Sequence, residues 1–87
     1  MTLLRFHAEW CMPCKASLPS WNKYQEDHPE LTMNSYDVDK EETKKLLELY
    51  DIASVPTVVL LDKEGKYLNK HVGMFNTFDL DKLFPSN

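Results

Sequence analysis

Residues 7–15 read HAEWCMPCK, and both cysteines of the chain, Cys11 and Cys14, lie inside this stretch. Upstream, residues 2–8 (TLLRFHA) are short and rich in apolar side chains, which predicts a buried strand. Downstream, Leu18, Trp21 and Tyr24 recur on one face of a helix expected over residues 13–27, with Pro13 in its first turn and Pro29 closing the segment. The two cysteines therefore sit where a strand ends and a helix begins. Pro19 falls inside that helix, where it deletes a backbone hydrogen bond and crowds the preceding turn, so a kink is expected there.

The rest of the chain continues the alternation. LTMNSYDV (31–38) predicts a second strand. Asp39 followed by Glu42 suits a helix cap, with Thr43, Leu46, Leu47 and Tyr50 as the inner stripe of that helix. PTVVLLD (56–62) is a β-branched apolar strand, KEG a tight turn and KYLNKHVG (66–73) its hairpin partner. NTFDLDKLF (76–84) predicts a short helix capped by Thr77, with Leu80, Leu83 and Phe84 facing inward. The order β-α-β-α-β-β-α, two helical crossovers and then a hairpin, implies an α/β fold: a four-stranded mixed sheet with helices on both faces.

With 87 residues, 43% of them hydrophobic and 28% charged, the chain suits one compact domain, 1–87. There is no repeat or linker. No stretch approaches the roughly 18 apolar residues of a membrane span, and MTLLRFHAEW does not resemble a signal peptide. A cytoplasmic protein is expected. The formal charge of −4, without a clustered basic face, argues against a nucleic-acid binder.

Three chemistries suit two cysteines separated by two residues. A structural staple gains little here, because so short a loop scarcely restrains the unfolded chain and cytosolic thiols are kept reduced. A zinc site needs two further ligands, and His7, His28 and His71 lie on separate elements without suitable spacing, so no metal is expected. A redox couple fits the position. Unpaired N–H groups and the positive end of the helix dipole favour thiolate at a helix N-terminus. Cys11, nearer the turn, is the expected exposed nucleophile. Cys14, one turn inside, is placed to resolve a mixed disulfide by attacking Cys11.

AEWCMPCK resembles the active-site segment of the thioredoxin family, usually WCGPCK, and Pro19 matches the proline that kinks the family's active-site helix. LYDIASVPTVVLLDKEGK resembles the family's stretch around its cis-proline, with Val55, Pro56 and Thr57 in matching positions. HVGMF supplies Gly73 where the family has a glycine beside the substrate groove. The resemblance runs from about residue 3 to 84 and implies a truncated thioredoxin fold. It implies a cis Pro56, a residue with no N–H to donate. The Val55 backbone would be left free to pair with an extended substrate. Trp10, Met12, Pro13, Val55, Pro56, Gly73 and Met74 would form the substrate groove. No cofactor beyond the Cys11–Cys14 disulfide is implied.

Three departures from the family stand out. Thioredoxins usually have another strand and helix before the first strand found here, so residues 31–37 should form a sheet edge. Position 5, where the family carries a buried aspartate that helps deprotonate the second cysteine, is Arg5, and the nearby lysine position is Ser35. An arginine stays protonated and cannot act as a base. Burying it unpaired would cost several kcal/mol, so a carboxylate such as Asp37 should lie close, or the head should reach water. If its charge approaches the sulfurs it favours thiolate and a more oxidising couple. The third departure is His7, which replaces a tryptophan and titrates near neutrality. Arg5, His7 and Lys15 are thus the expected tuning residues.

The resulting expectation is a monomeric thiol-disulfide oxidoreductase that reduces protein disulfides and is recharged by a thioredoxin-reductase-type donor. The alternatives are a glutaredoxin-like or more oxidising enzyme on the same fold, and a non-catalytic binding subunit. Exposed chemistry at a helix N-terminus is unnecessary in a scaffold. A glutathione site needs positive charge along the groove, where only Lys15 is apparent.

Overall fold

The structure, a computed structural model, describes residues 1–85. Its elements are β1 (Thr2–His7), α1 (Met12–Asp27), β2 (Thr32–Asp37), a 3-10 turn (Glu41–Thr43) running into α2 (Lys44–Leu49), β3 (Thr57–Leu61), β4 (Tyr67–Val72) and α3 (Thr77–Leu83). They follow the order expected from the sequence. The four strands form one sheet ordered β2-β1-β3-β4. β1 is parallel to β2, and the β1–β3 and β3–β4 pairs are antiparallel. The second strand is an edge, as anticipated.

β1 and β3 are the central strands, so both their faces must be covered. Alternation divides their side chains between two cores. On one face Leu3, Val58 and Leu60 pack with Trp21 and Tyr24 of α1 and with Phe75, Leu80 and Leu83. On the other, Leu4, Phe6, Val59 and Leu61 pack with Leu46, Leu47, Tyr50 and the flanking Tyr36, Val38, Ile52 and Val55. Burying side chains of this size contributes roughly 1.5–3 kcal/mol each. Odd positions of β1 therefore face α1, and Arg5 occupies one of them.

Local features correct three of the sequence expectations. Leu18 lies off the buried stripe of α1, which runs Cys14, Ser17, Trp21, Tyr24 in steps of three and four. Ser17 takes the inward place because its hydroxyl is satisfied there: it donates to the Pro13 carbonyl at 2.9 Å and accepts the Phe75 N–H at 3.1 Å. Pro19 lies inside α1, which continues through it to Asp27. Asp39 does not cap a helix; the 3-10 turn begins after Lys40 without a side-chain cap, and the Asp39 carboxylate accepts the Trp10 indole N–H at 2.8 Å.

At α3 the cap is Asn76, not Thr77. Asn76 accepts the Asp79 N–H at 2.9 Å, and the Asp79 carboxylate accepts the Asn76 N–H at 3.0 Å. Thr77 is already the first helical residue. The reciprocal pair satisfies two donors that a helix start leaves open. Asn76→Ala should therefore lower stability by about 1 kcal/mol, measured as a lower urea midpoint with an unchanged slope.

Candidate active site

The turn after β1 is closed by the Cys11 N–H donating to the Ala8 carbonyl at 3.2 Å. Cys11 is the N-cap of α1, and its sulfur accepts the Cys14 N–H at 3.1 Å. A disulfide joins the two cysteines, whose Cα atoms are 5.2 Å apart. Sixteen helical residues follow, so a thiolate at Cys11 would meet both an aligned N–H and the positive end of a long helix.

Each cysteine is only 3% exposed, which corrects the expectation of an exposed nucleophile. In the disulfide state both pack with Ala8, Val38 and Val55. Exposure belongs to the neighbours: Trp10 is 67%, Met12 68% and Met74 59% exposed. Three large apolar side chains are thus left in solvent around a buried disulfide and are not core. Pro13, in the first turn, is also exposed.

A groove of about 200 Å³ runs beside this surface, with Trp10, Val38, Ile52, Ser54 and Val55 among its walls. The Trp10–Asp39 hydrogen bond holds the indole along it. The Val55–Pro56 peptide is cis. Among the described residues neither the N–H nor the carbonyl of Val55 has a hydrogen-bond partner. The Pro56 carbonyl accepts the Gly73 N–H at 2.8 Å. Gly73 has φ +102°, and a Cβ there would meet nothing within 4 Å. Its glycine is required by backbone conformation alone.

Behind Cys14 lies a second cavity, of about 190 Å³, whose walls include Arg5, His7, Glu9, Cys14 and Lys15. Arg5 is 8% exposed. Its Nε donates to Ser35 Oγ at 3.0 Å and its guanidinium carbon stands 5.8 Å from the centre of the Trp21 ring. The expected nearby carboxylate is not there: among the described residues no acid lies within ion-pair distance of Arg5, and Asp37 Oδ1 instead accepts the Asp39 N–H. The second expectation, contact with water, applies. No buried side-chain nitrogen lacks a partner among the described residues, so the unbonded N–H groups of Arg5 keep accessible surface.

Burial, and then the charge of Arg5, lower the His7 pKa, while Asp37 and Glu9 act in the opposite direction. Burial also lowers Arg5 from its ordinary value. His28 and His71 lie elsewhere, on the carbonyls of Tyr24 and Met74 respectively. Among the described residues no cluster of three or more His, Cys, Asp or Glu side chains could hold a metal ion, and no helix is long and apolar enough to cross a membrane.

The comparisons with known proteins agree with this geometry. The thioredoxin family profile matches residues 1–84. The chain belongs to the thioredoxin family. It is 34% identical to the thioredoxin of Chlamydia trachomatis, over the whole of this chain and 82% of that protein. It is 32% identical to a thioredoxin of Mycoplasmoides gallisepticum, over 90% of this chain and 75% of that one. Among solved structures it superimposes on oxidised mitochondrial thioredoxin 3 of Saccharomyces cerevisiae with a TM-score of 0.80 at 31% identity, covering 93% of this chain and 73% of that one. It is a protein-disulfide oxidoreductase of the CxxC type, and members of its family act on disulfide substrates with a reductase partner.

Two elements of this thioredoxin site escaped the sequence reading. Asp39 was legible only as a cap, because its partner Trp10 is 29 positions away. Ser17 carried no signal beyond its place one turn after Cys14.

The depressed His7 pKa has a pH consequence with a definite sign. Folding disfavours the charged imidazole, so the unfolded chain binds more protons and His7 costs stability as pH falls through its ordinary value of about 6.5. Above that value the cost vanishes; below the folded pKa it is complete. The difference in urea midpoint between the native chain and His7→Gln should therefore move in favour of the variant between neutral pH and pH about 5. A difference independent of pH would contradict this.

Proposed function

We propose that residues 1–87 act as a single, monomeric, cytoplasmic thioredoxin domain. Its Cys11 attacks protein disulfides, Cys14 resolves the mixed disulfide, and a thioredoxin-reductase-type enzyme supplies electrons. The observation that carries the assignment of roles is the contact between Cys11 Sγ and the Cys14 N–H at the start of α1. It gives Cys11 the greater stabilisation as a thiolate. Cys14 lies inside the helix, within reach of Cys11.

In the forward reaction the Cys11 thiolate attacks one sulfur of a substrate disulfide. A Cys11–substrate bond forms, the substrate disulfide breaks, and the second substrate sulfur leaves as a thiolate. Cys14 then displaces the first substrate sulfur from Cys11. Two electrons and two protons have moved to the substrate.

Substrate docking is assigned to Trp10, Met12, Pro13, Val55, Pro56, Gly73 and Met74. The unpaired Val55 backbone offers a donor and an acceptor to an extended segment, as in strand addition. The exposed apolar side chains around it supply area without charge. No nucleic acid or membrane partner is included, consistent with the net charge of −4.

Insulin reduction tests the reading. Activity should appear with NADPH and thioredoxin reductase and remain weak when glutathione is the sole electron source. Either Cys11→Ser or Cys14→Ser should reduce turnover by at least about a hundredfold, since the exchange cycle needs both sulfurs. Only Cys14→Ser should accumulate a covalent, reductant-sensitive adduct with a disulfide substrate. An adduct on Cys14 in the Cys11→Ser variant instead would reverse the assigned roles.

A further inference from the structure

Arg5 is the only charged side chain buried among the described residues, and no countercharge accompanies it. One donor is taken by Ser35 and the guanidinium rests against Trp21. The remaining N–H groups have accessible surface but no protein acceptor. A cation that is 8% exposed, reaching water only through its free N–H groups and lacking a countercharge, is less well stabilised than one in open solvent. Arg5 shares its cavity with Cys14, the one group there that can change from neutral to anionic during the reaction.

We propose that the missing countercharge of Arg5 is the Cys14 thiolate, and that Arg5 is the positioning residue that favours deprotonation of Cys14 in the resolving step. This rests on the oxidoreductase reading and names how its second half-reaction is driven in this chain. In the mixed disulfide the Cys14 thiol gives its proton to water admitted by the cavity. The thiolate attacks Cys11 Sγ, the Cys11–Cys14 bond forms and the Cys11–substrate bond breaks. The released substrate thiolate takes a proton from solvent. The dithiol is oxidised by two electrons and the substrate disulfide is reduced by the same two.

The surroundings make an external charge necessary. Cys14 is 3% exposed, and burial alone raises a thiol's pKa. Its neighbours Ala8, Val38 and Val55 are apolar. Of the charged groups near it, Arg5 from β1 and Lys15 from α1 favour thiolate, whereas Glu9 in the turn opposes it. Asp37, at the end of β2, bears on the cavity through its neighbour His7. Lys15 is solvent-exposed and so heavily screened; Arg5 is buried and screened little. Arg5 attracts the thiolate that the departing proton leaves behind instead of accepting the proton, the reverse of how a carboxylate at this position would act. It stabilises the dithiol state, in which a thiolate exists, over the disulfide state, in which none does.

The test uses the whole chain with Cys11→Ser, leaving Cys14 as its only thiol, and follows thiolate absorbance against pH. Cys14 should titrate below the ordinary cysteine value of about 8.5. Arg5→Met on that background should raise its pKa by about one unit or more, and Arg5→Lys should restore most of the difference. With both cysteines present, Arg5→Met should shift the equilibrium with glutathione toward the disulfide by about threefold or more. Arg5→Gln, which keeps a donor for Ser35, replaces Arg5→Met if that variant does not fold. Cys14 titrating at or above the ordinary value with Arg5 present overturns the proposal, as does a titration unmoved by loss of the charge in a folded variant. Either result, alongside normal insulin reduction by the native chain, leaves the oxidoreductase reading intact; failure of insulin reduction would strike that reading instead.

Discussion

β1 is hydrogen-bonded on both sides, to β2 and to β3, and most of this molecule follows from that. A strand with a neighbour on each edge and helices on each face leaves little of its inner side chains in water. Leu3, Leu4 and Phe6 satisfy the constraint with apolar groups, and the strand then delivers the chain into the turn that carries Cys11. The redox site is thus attached to the most constrained segment of the fold, and α1 extends from it with its N-terminus held in place. Arg5 meets the same constraint with a charge, which makes it the exception that needs a chemical explanation.

The two cavities beside the disulfide divide the chemistry between them. The groove by Trp10 and Val55 is apolar and open, suited to a substrate chain approaching Cys11. The cavity behind it reaches Cys14 and contains the basic groups. On the proposed reading a protein substrate meets one side, while protons and water reach the other. Separation of this kind lets Cys14 be tuned without placing charge in the docking surface. The Trp10–Asp39 hydrogen bond serves the first side by satisfying the indole's only donor while leaving its ring exposed.

Legibility in the sequence depended on the range of the interaction. The seven regular elements were readable because period and turn chemistry are local, and the pair Cys11/Cys14 because both members lie within one turn of a helix start. Corrections arose where two local choices compete. Asn76 and Thr77 are both good caps, and the reciprocal contact with Asp79 selects Asn76. Asp39 has an acceptable local role as a cap and a better distant one with Trp10. Leu18 is more apolar than Ser17, yet Ser17 holds the inward position because a hydroxyl there connects Pro13 to Phe75. Such outcomes depend on partners up to 58 positions away, which periodicity does not encode.

By itself the sequence determined the order of strands and helices, the placement of two cysteines at a helix N-terminus and hence the thiol-disulfide chemistry, because each of these is set by residues near one another in the chain. Only the tertiary structure decided that Arg5 has no carboxylate partner among the described residues and shares a cavity with Cys14. The same is true of the cysteines, which lie buried beneath an exposed rim, and of Asp39, which binds Trp10. The physical reason is that burial and countercharge are properties of the packed neighbourhood. They are settled by which elements meet across the sheet, and no stretch of sequence contains that information on its own.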